Sequence, residues 1–327
     1  MTRTLERRPG GWAVGALSLV LGSAVPLGGC SGKEDRSTHE PERVAPAAID
    51  LAAVARGERQ STLRALRMPH RYLAARLGAH RVRCTSTLTT QVPAAETQRL
   101  EQEVTMRVDA DGHYAVSKNT SPQFGHEVVW TGDWIYPRLR YSKFLRRPAR
   151  RDEPREIADR IYGLLPAYVR LLGPFISVEA RGEAQHLGRS AVRAELKLMA
   201  EPAGEPSARG VARQWRQTIV VKSLTGTALL DAKTGAPLSV DLRARWSFNP
   251  PAGSIPATGI PTKIDRDAVG TMDLSFSQRI TNIGAVAKVT APPEAETIDN
   301  PRRIRLEIER QMLTGELPIG EPPRSTP

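Results

Sequence analysis

The sequence predicts an α+β fold, a strongly curved antiparallel sheet covered by a few helices. Three observations lead there. About ten segments alternate apolar and polar residues with period two, as strands with one solvated face do. A single amphipathic helical stretch interrupts them midway, and no repeat at a solenoid period is present.

The elements follow in chain order. Ile49 to Arg56 reads as a short helix, and a second starts near Pro69, suited to a first turn, and runs through Tyr72, Leu73 and Leu77 to Gly78. The period then changes. Val82, Cys84, Ser86 and Leu88 alternate with Arg83, Thr85 and Thr87, and Val104, Met106 and Val108 with Glu103, Thr105 and Arg107. Asp109 to Gly112 is a turn before Tyr114 and Val116. Thr131-Gly132-Asp133 is a hairpin signal between Val128–Trp130 and Trp134–Tyr136.

A basic loop is expected from Arg138 to Arg151. An amphipathic helix follows, about Arg155 to Leu172, with Ile157, Ile161, Leu164, Leu165, Tyr168 and Leu172 on one side. Gly163 and Pro166 within it predict a kink or two short helices. Ile176–Ala184 and Val192–Leu198 flank a turn at His186 to Arg189. Trp215, Ile219 and Val221 are expected on one face of a strand. Leu238, Val240, Leu242, Ala244, Trp246 and Phe248 alternate cleanly after a turn at Asp231 to Gly235. Beyond a Pro/Gly loop from Pro250 to Pro261, Met272, Leu274, Phe276 and Ile280 form another alternating strand. A last helix is expected after Asn300, with Pro301 in its first turn and Ile304, Ile308 and Met312 on one face, before a disordered tail from Pro318.

The N-terminus carries an address. Arg3, Arg7 and Arg8 stand against Glu6, an apolar run extends from Gly11 to Pro26, and Leu27-Gly28-Gly29 leads into Cys30. The run is about 16 residues, short of the ~20 of a spanning helix and normal for a signal-peptide core. The segment resembles the lipobox of bacterial lipoproteins. That resemblance implies cleavage after residue 29 and lipidation (palmitate among the acyl groups) of Cys30. Residues 1–29 are then signal peptide, 30–48 a polar tether, 49–293 the folded domain and 294–327 a C-terminal helix and tail. Ser31, where Asp would resemble an inner-membrane retention signal, favours the outer membrane. With Cys30 lipidated, Cys84 has no disulfide partner and reads as a small buried hydrophobe.

The chain of 327 residues has 47 Lys and Arg against 35 Asp and Glu, a net charge of +12. The leader accounts for +2 of this. Export argues against nucleic acid and for anionic headgroups or other envelope polyanions. The densest basic stretch interleaves aromatics, with Tyr136, Arg138, Arg140, Tyr141, Lys143, Phe144, Arg146, Arg147, Arg150 and Arg151. Arg146, Arg147, Arg150 and Arg151 are candidate membrane or headgroup contacts, or a solvated loop.

No nucleophile elbow, metal-binding His-Glu-x-x-His or phosphate loop occurs. The six histidines lack ligand spacing, although His113 and His126 are placed to approach each other across strands. Neither an enzyme, a metal nor a cofactor is expected.

A lipidated cysteine, a leading helix, an antiparallel series, a central helical interruption and more strands resemble the Lol-type lipoprotein carriers and outer-membrane lipoprotein-sorting proteins. The likeness covers Pro69 to Pro293. It includes Leu230-Asp231 through Thr234-Gly235-Ala236-Pro237-Leu238 and the strand end from Ile280 through Val289-Thr290-Ala291-Pro292. It implies an unclosed β-barrel whose apolar interior holds acyl chains beneath a helical lid. Trp215, Ile219, Leu242, Trp246, Phe248, Leu274 and Phe276 are the candidate lining. Such residues more often fill an ordinary core, leaving an envelope protein-interaction or sensor module as the alternative.

Overall fold

A computed structural model describes residues 49–93, 95–204, 210–249 and 269–299. The leader, Cys30, the tether, the loop from Pro250, the expected C-terminal helix and the tail lie outside these residues.

Three short helices come first, α1 (Leu51–Ala55), α2 (Arg59–Leu66) and α3 (His70–Leu77). The carboxylate of Asp50 caps α1, and that of Glu58 caps α2, accepting from the Gln60 and Ser61 amides. Gly57 joins α1 to α2 at φ 75°, and a Cβ there would lie 2.7 Å from the Ala180 nitrogen. Only glycine lets this corner sit against the edge of the sheet.

The first meander is β1 (His80–Gln91), β2 (Gln98–Val108), β3 (Tyr114–Asn119), β4 (Gly125–Thr131), β5 (Trp134–Leu139) and β6 (Phe144–Pro148). Helices α4 (Glu153–Tyr162) and α5 (Leu164–Leu172) follow, separated at Gly163 as the glycine and proline predict. A 3-10 turn, Gly173–Phe175, leads to the second meander of β7 (Ile176–His186), β8 (Arg189–Leu198), β9 (Val220–Asp231), β10 (Pro237–Phe248) and β11 (Gly270–Thr281). Helix α6 (Gly210–Gln217) precedes β9, and the three-residue β12 (Thr297–Asp299) closes the described chain.

All twelve strands form one unclosed sheet in the order β12-β6-β5-β4-β3-β2-β1-β11-β10-β9-β8-β7. Every pairing is antiparallel except β12 with β6. The two meanders meet at β1 and β11, in unbroken register from Arg81 opposite Thr281 to Gln91 opposite Thr271. β6 and β7 therefore lie near opposite edges, and α4 and α5 carry the chain between them. Ten and nine residues of helix reach about 28 Å. Ten inter-strand spacings span about 48 Å along a flat sheet. Curling the sheet around the helices shortens that path, and the helices bury its inner face.

The burial confirms the alternation. Val82, Cys84 and Leu88 of β1, Val104 and Met106 of β2, and Leu274, Phe276 and Ile280 of β11 pack with Ile161, Leu165, Tyr168 and Leu172 of α4 and α5 in one core. A smaller cluster lies on the outer face, where the chain after β11 crosses the first meander. There Val289 packs against Val129, Tyr136 and Phe144. This explains why both Val128 and Val129 are buried, against strict alternation.

Three expectations need correction. Trp215 lies on α6 and Ile219 in the link to β9, so they do not share a strand with Val221. The basic segment is not all loop, because Phe144–Pro148 forms β6. His113 and His126 do not pair. The His113 ring meets Trp130 at 5.4 Å, whereas His126 is buried in β4.

His70 and His80, their ring centroids 5.6 Å apart, are also buried. Burial, then the His80 charge, pushes His70 down to about 3. Burial, then Lys118, does the same to His126. Burial lowers His80 despite its hydrogen bond to the Gly78 carbonyl. As pH falls, the unfolded chain is protonated first. Stability should be full above about pH 6.5 and lost from there toward about pH 3, at up to about 1.4 kcal/mol per pH unit for each of His70 and His126, with His80 acting in the same direction. Urea midpoints at pH 7.5, 6 and 5 check this. A flat profile would mean that these rings are protonated as readily in the folded chain as in the unfolded one.

Candidate functional site

The seven expected lining residues come together on the inner face. Leu242, Trp246 and Phe248 project from β10, Leu274 and Phe276 from β11, and Trp215 and Ile219 arrive from above the sheet. Leu242 stands opposite Phe276, and Trp246 opposite Met272. Phe248 lies over Gly270, where a Cβ would meet its ring at 2.6 Å, and Trp215 meets Phe248 with centroids 6.1 Å apart. From α5, the Tyr168 ring packs edge-on to Phe276 at 5.5 Å. All seven are buried, so in this state their side chains fill the space between sheet and lid.

That space contains polar groups of two kinds. The first are paired. The Ser86 and Tyr168 hydroxyls are 2.6 Å apart, fastening α5 to β1. The Gln278 amide donates to the Tyr162 hydroxyl at 3.3 Å and the Pro237 carbonyl at 3.2 Å, while its oxygen accepts from Cys84 Sγ at 3.4 Å. Burial raises both tyrosines and pushes the Cys84 thiol up to about 12, so none is an acid or nucleophile near neutral pH. The second kind have no partner. Trp246 Nε1 and Thr90 Oγ1 are buried without a hydrogen bond. Their residues flank Met272 across neighbouring strands, with Trp246 opposite it from β10 and Thr90 opposite it from β1. Each leaves a hydrogen bond unmade inside an apolar layer, a cost of about 1–3 kcal/mol. A guest bearing an ester or carboxyl oxygen could relieve it.

The basic stretch is divided. Arg138 pairs with Glu127 at 2.7 Å and Glu296 at 3.2 Å, with its guanidinium 3.9 Å from the centre of the Phe144 ring. Arg146 pairs with Asp299 at 2.7 Å. Arg147 is buried and bound through both terminal nitrogens to Glu153, at 2.8 and 2.6 Å. Burial works to raise the Glu153 carboxyl, but Arg147 more than offsets it and holds it below the usual range. Arg147 thus faces the protein, while Arg150 and Arg151 are exposed. Arg151 lines a half-open cleft of about 410 Å³ with Trp130, Asp152, Pro154 and Arg155. A second concavity, about 580 Å³, runs along β8–β11, where Lys197, Thr225, Asp241 and Arg243 line it together with Leu242 and Phe276 of the candidate set.

Asp109, Asp111 and His113 have donor atoms close enough together to suggest a metal site. However, Asp109 Oδ1 accepts the Asp111 and His113 amides, each at 3.0 Å, and Oδ2 accepts that of Val289 at 2.9 Å. The carboxylate braces a turn and ties the crossing chain to it. Sequence reading missed the Ser86–Tyr168 fastening and the unpartnered Thr90. Both are polar residues at apolar positions of an alternating or amphipathic pattern, which is the signal that could have found them.

No family model and no curated protein matches the chain. Among solved structures, it is similar to LprF from Mycobacterium bovis at 13% identity, covering 72% of this chain and 97% of that one, with a TM-score of 0.27. Lipoprotein LppX from Mycobacterium tuberculosis matches at 12% identity, 71% and 99% coverage and a TM-score of 0.22. A LolA superfamily protein from Nitrosomonas europaea matches at 9%, 72% and 95%, and 0.19. These are distant structural likenesses, and scores this low carry no ligand or activity across.

Two substitutions test the geometry. Tyr168→Phe leaves the Ser86 hydroxyl buried and unpaired, and should cost about 1–3 kcal/mol in urea unfolding. Arg147→Met strands the Glu153 carboxylate and should cost about 3–5 kcal/mol. Arg151→Gln, on the exposed cleft, should change stability by less than about 0.5 kcal/mol.

Proposed function

We propose that this protein is a cell-envelope lipoprotein, anchored through Cys30, that binds or transfers a lipid or other amphiphile between its sheet and its helical lid. The observation that carries the reading is the pair of unpartnered polar atoms, Trp246 Nε1 and Thr90 Oγ1, within the apolar inner face. They suit the polar end of an acyl chain whose methylenes each contribute about 0.8 kcal/mol on burial. The filled interior is then the closed, unloaded state. Loading requires α5 to move away from Phe276 and the Ser86–Tyr168 fastening to open.

Purification from native membranes, followed by solvent extraction and mass spectrometry, should recover a non-covalent lipid in roughly equimolar amount. A brominated fatty acid added to the purified chain should quench tryptophan emission, and Trp246→Phe should reduce that quenching. Absence of both extracted lipid and quenching would sink the reading. The packed interior favours a second one, an envelope protein-interaction module with a solid core. It gains support if the interior stays closed to lipid while a protein partner is crosslinked to an outer surface.

A further inference from the structure

Three arginines gather where the lid joins the second meander. Arg59 Nε donates to the Ile176 carbonyl at 2.7 Å, and its Nη2 to the Gly173 carbonyl at 2.6 Å. The Arg67 guanidinium lies on the same turn, so close that a Cβ on Gly173 would be 2.6 Å from its Nη2. A side chain at position 173 would push the end of the Arg67 side chain aside. Arg67 Nε is enclosed and has no hydrogen-bond partner. Arg170, exposed in the last turn of α5, completes the group, because α2 packs against α5.

Among the described residues, no carboxylate pairs with Arg59, Arg67 or Arg170. The contrast with Arg138, Arg146 and Arg147, each bound to an acid, is internal to the molecule. The charges that act on Arg67 are those of Arg170 and Arg59, and after burial they lower it further. Partial loss of solvent also lowers Arg170, and burial, then the Arg170 charge, lowers Arg216. Some negative potential is present, since Arg67 caps the C-terminus of α2 and Arg170 ends α5. Each helix end supplies about half an electronic charge. Two ends cannot balance three full cations. A concentrated, partly desolvated positive charge with unused N–H donors is what a tetrahedral oxyanion seeks.

We propose that Arg59, Arg67 and Arg170 form a binding site for a phosphate-class anion at the Gly173–Phe175 turn. The anion is either free phosphate or the phosphate of a lipid headgroup. The site is distinct from the cleft at Arg151 and Arg155. It stands whether or not the interior takes up acyl chains. Because the turn links α5 to β7, an anion there would also steady the end of the lid.

The test uses the full chain in detergent at low, constant ionic strength. Inorganic phosphate should raise its melting temperature, and Arg67→Gln/Arg170→Gln should weaken that response at least tenfold in phosphate concentration. Arg151→Gln/Arg155→Gln should leave it intact. Arg170→Gln, at an exposed position among like charges, should fold at least as stably as the parent without phosphate, so a lost response is not lost folding. In a second arm, the chain is mixed with phosphatidylglycerol or phosphatidylcholine vesicles. A response to inorganic phosphate that the Arg67/Arg170 pair abolishes supports a free-anion site. Binding to phosphatidylglycerol vesicles alone, again lost in that pair, supports a headgroup site. If the Arg67/Arg170 pair alters neither response, or the Arg151/Arg155 pair alone abolishes them, the proposal is overturned. Lipid recovered from native membranes with no effect of Arg67 and Arg170 would leave the carrier reading standing and remove this one.

Discussion

The pairing of β1 with β11 holds the architecture together. It joins residues near position 85 to residues near position 277 without a bulge. Without it there would be two meanders, each with an apolar face and an exposed edge. With it there is one sheet, whose sequence-adjacent strands β6 and β7 lie far apart. The chain between them must cross the inner face, and it crosses as helix because that satisfies its backbone while burying apolar side chains. The lid is thus a consequence of strand order.

The interior is specified by a few polar contacts set in a large apolar area. Burial of Leu165, Val169 and Leu172 draws α5 onto the sheet but leaves its rotation weakly fixed. The Ser86–Tyr168 pair fixes it, as the Gln278–Tyr162 bond does for α4, since a rotated helix would leave a buried hydroxyl unpaired. Trp246 and Thr90 break that rule, and the Arg59, Arg67 and Arg170 group breaks the matching rule for charge. Departures of this kind mark the places where a protein is incomplete by itself.

Much of the fold was legible because period-two alternation survives wherever one face is dry. β1, β10 and β11 follow it almost residue by residue. The break at Gly163 was legible from glycine and proline chemistry. Trp215 was misread because spacings of four and two to Ile219 and Val221 suit a helix turn and a strand equally. β6 was hidden because cations carrying aliphatic stems, Arg146 and Arg147, occupy its positions, and their acids, Asp299 and Glu153, fall outside the segment. The buried residues of this face could be named in advance, but whether they line a cavity or fill a core depends on the fit of α5, which no local pattern encodes. The arginine group was not legible at all, since its members are brought together only by tertiary packing.

The central place of β1 also bears on how the molecule assembles in time. β2 can pair with β1 as soon as both exist, but the other side of β1 must wait for β11, nearly the last strand in the chain. Until then the first meander presents a long, regular edge rich in threonine, ready to accept any extended segment. Contacts this distant in sequence close slowly, and an unpaired edge is an aggregation hazard meanwhile. The unfinished molecule therefore depends on protection that the finished one does not need. Its vulnerable period ends when a single strand docks.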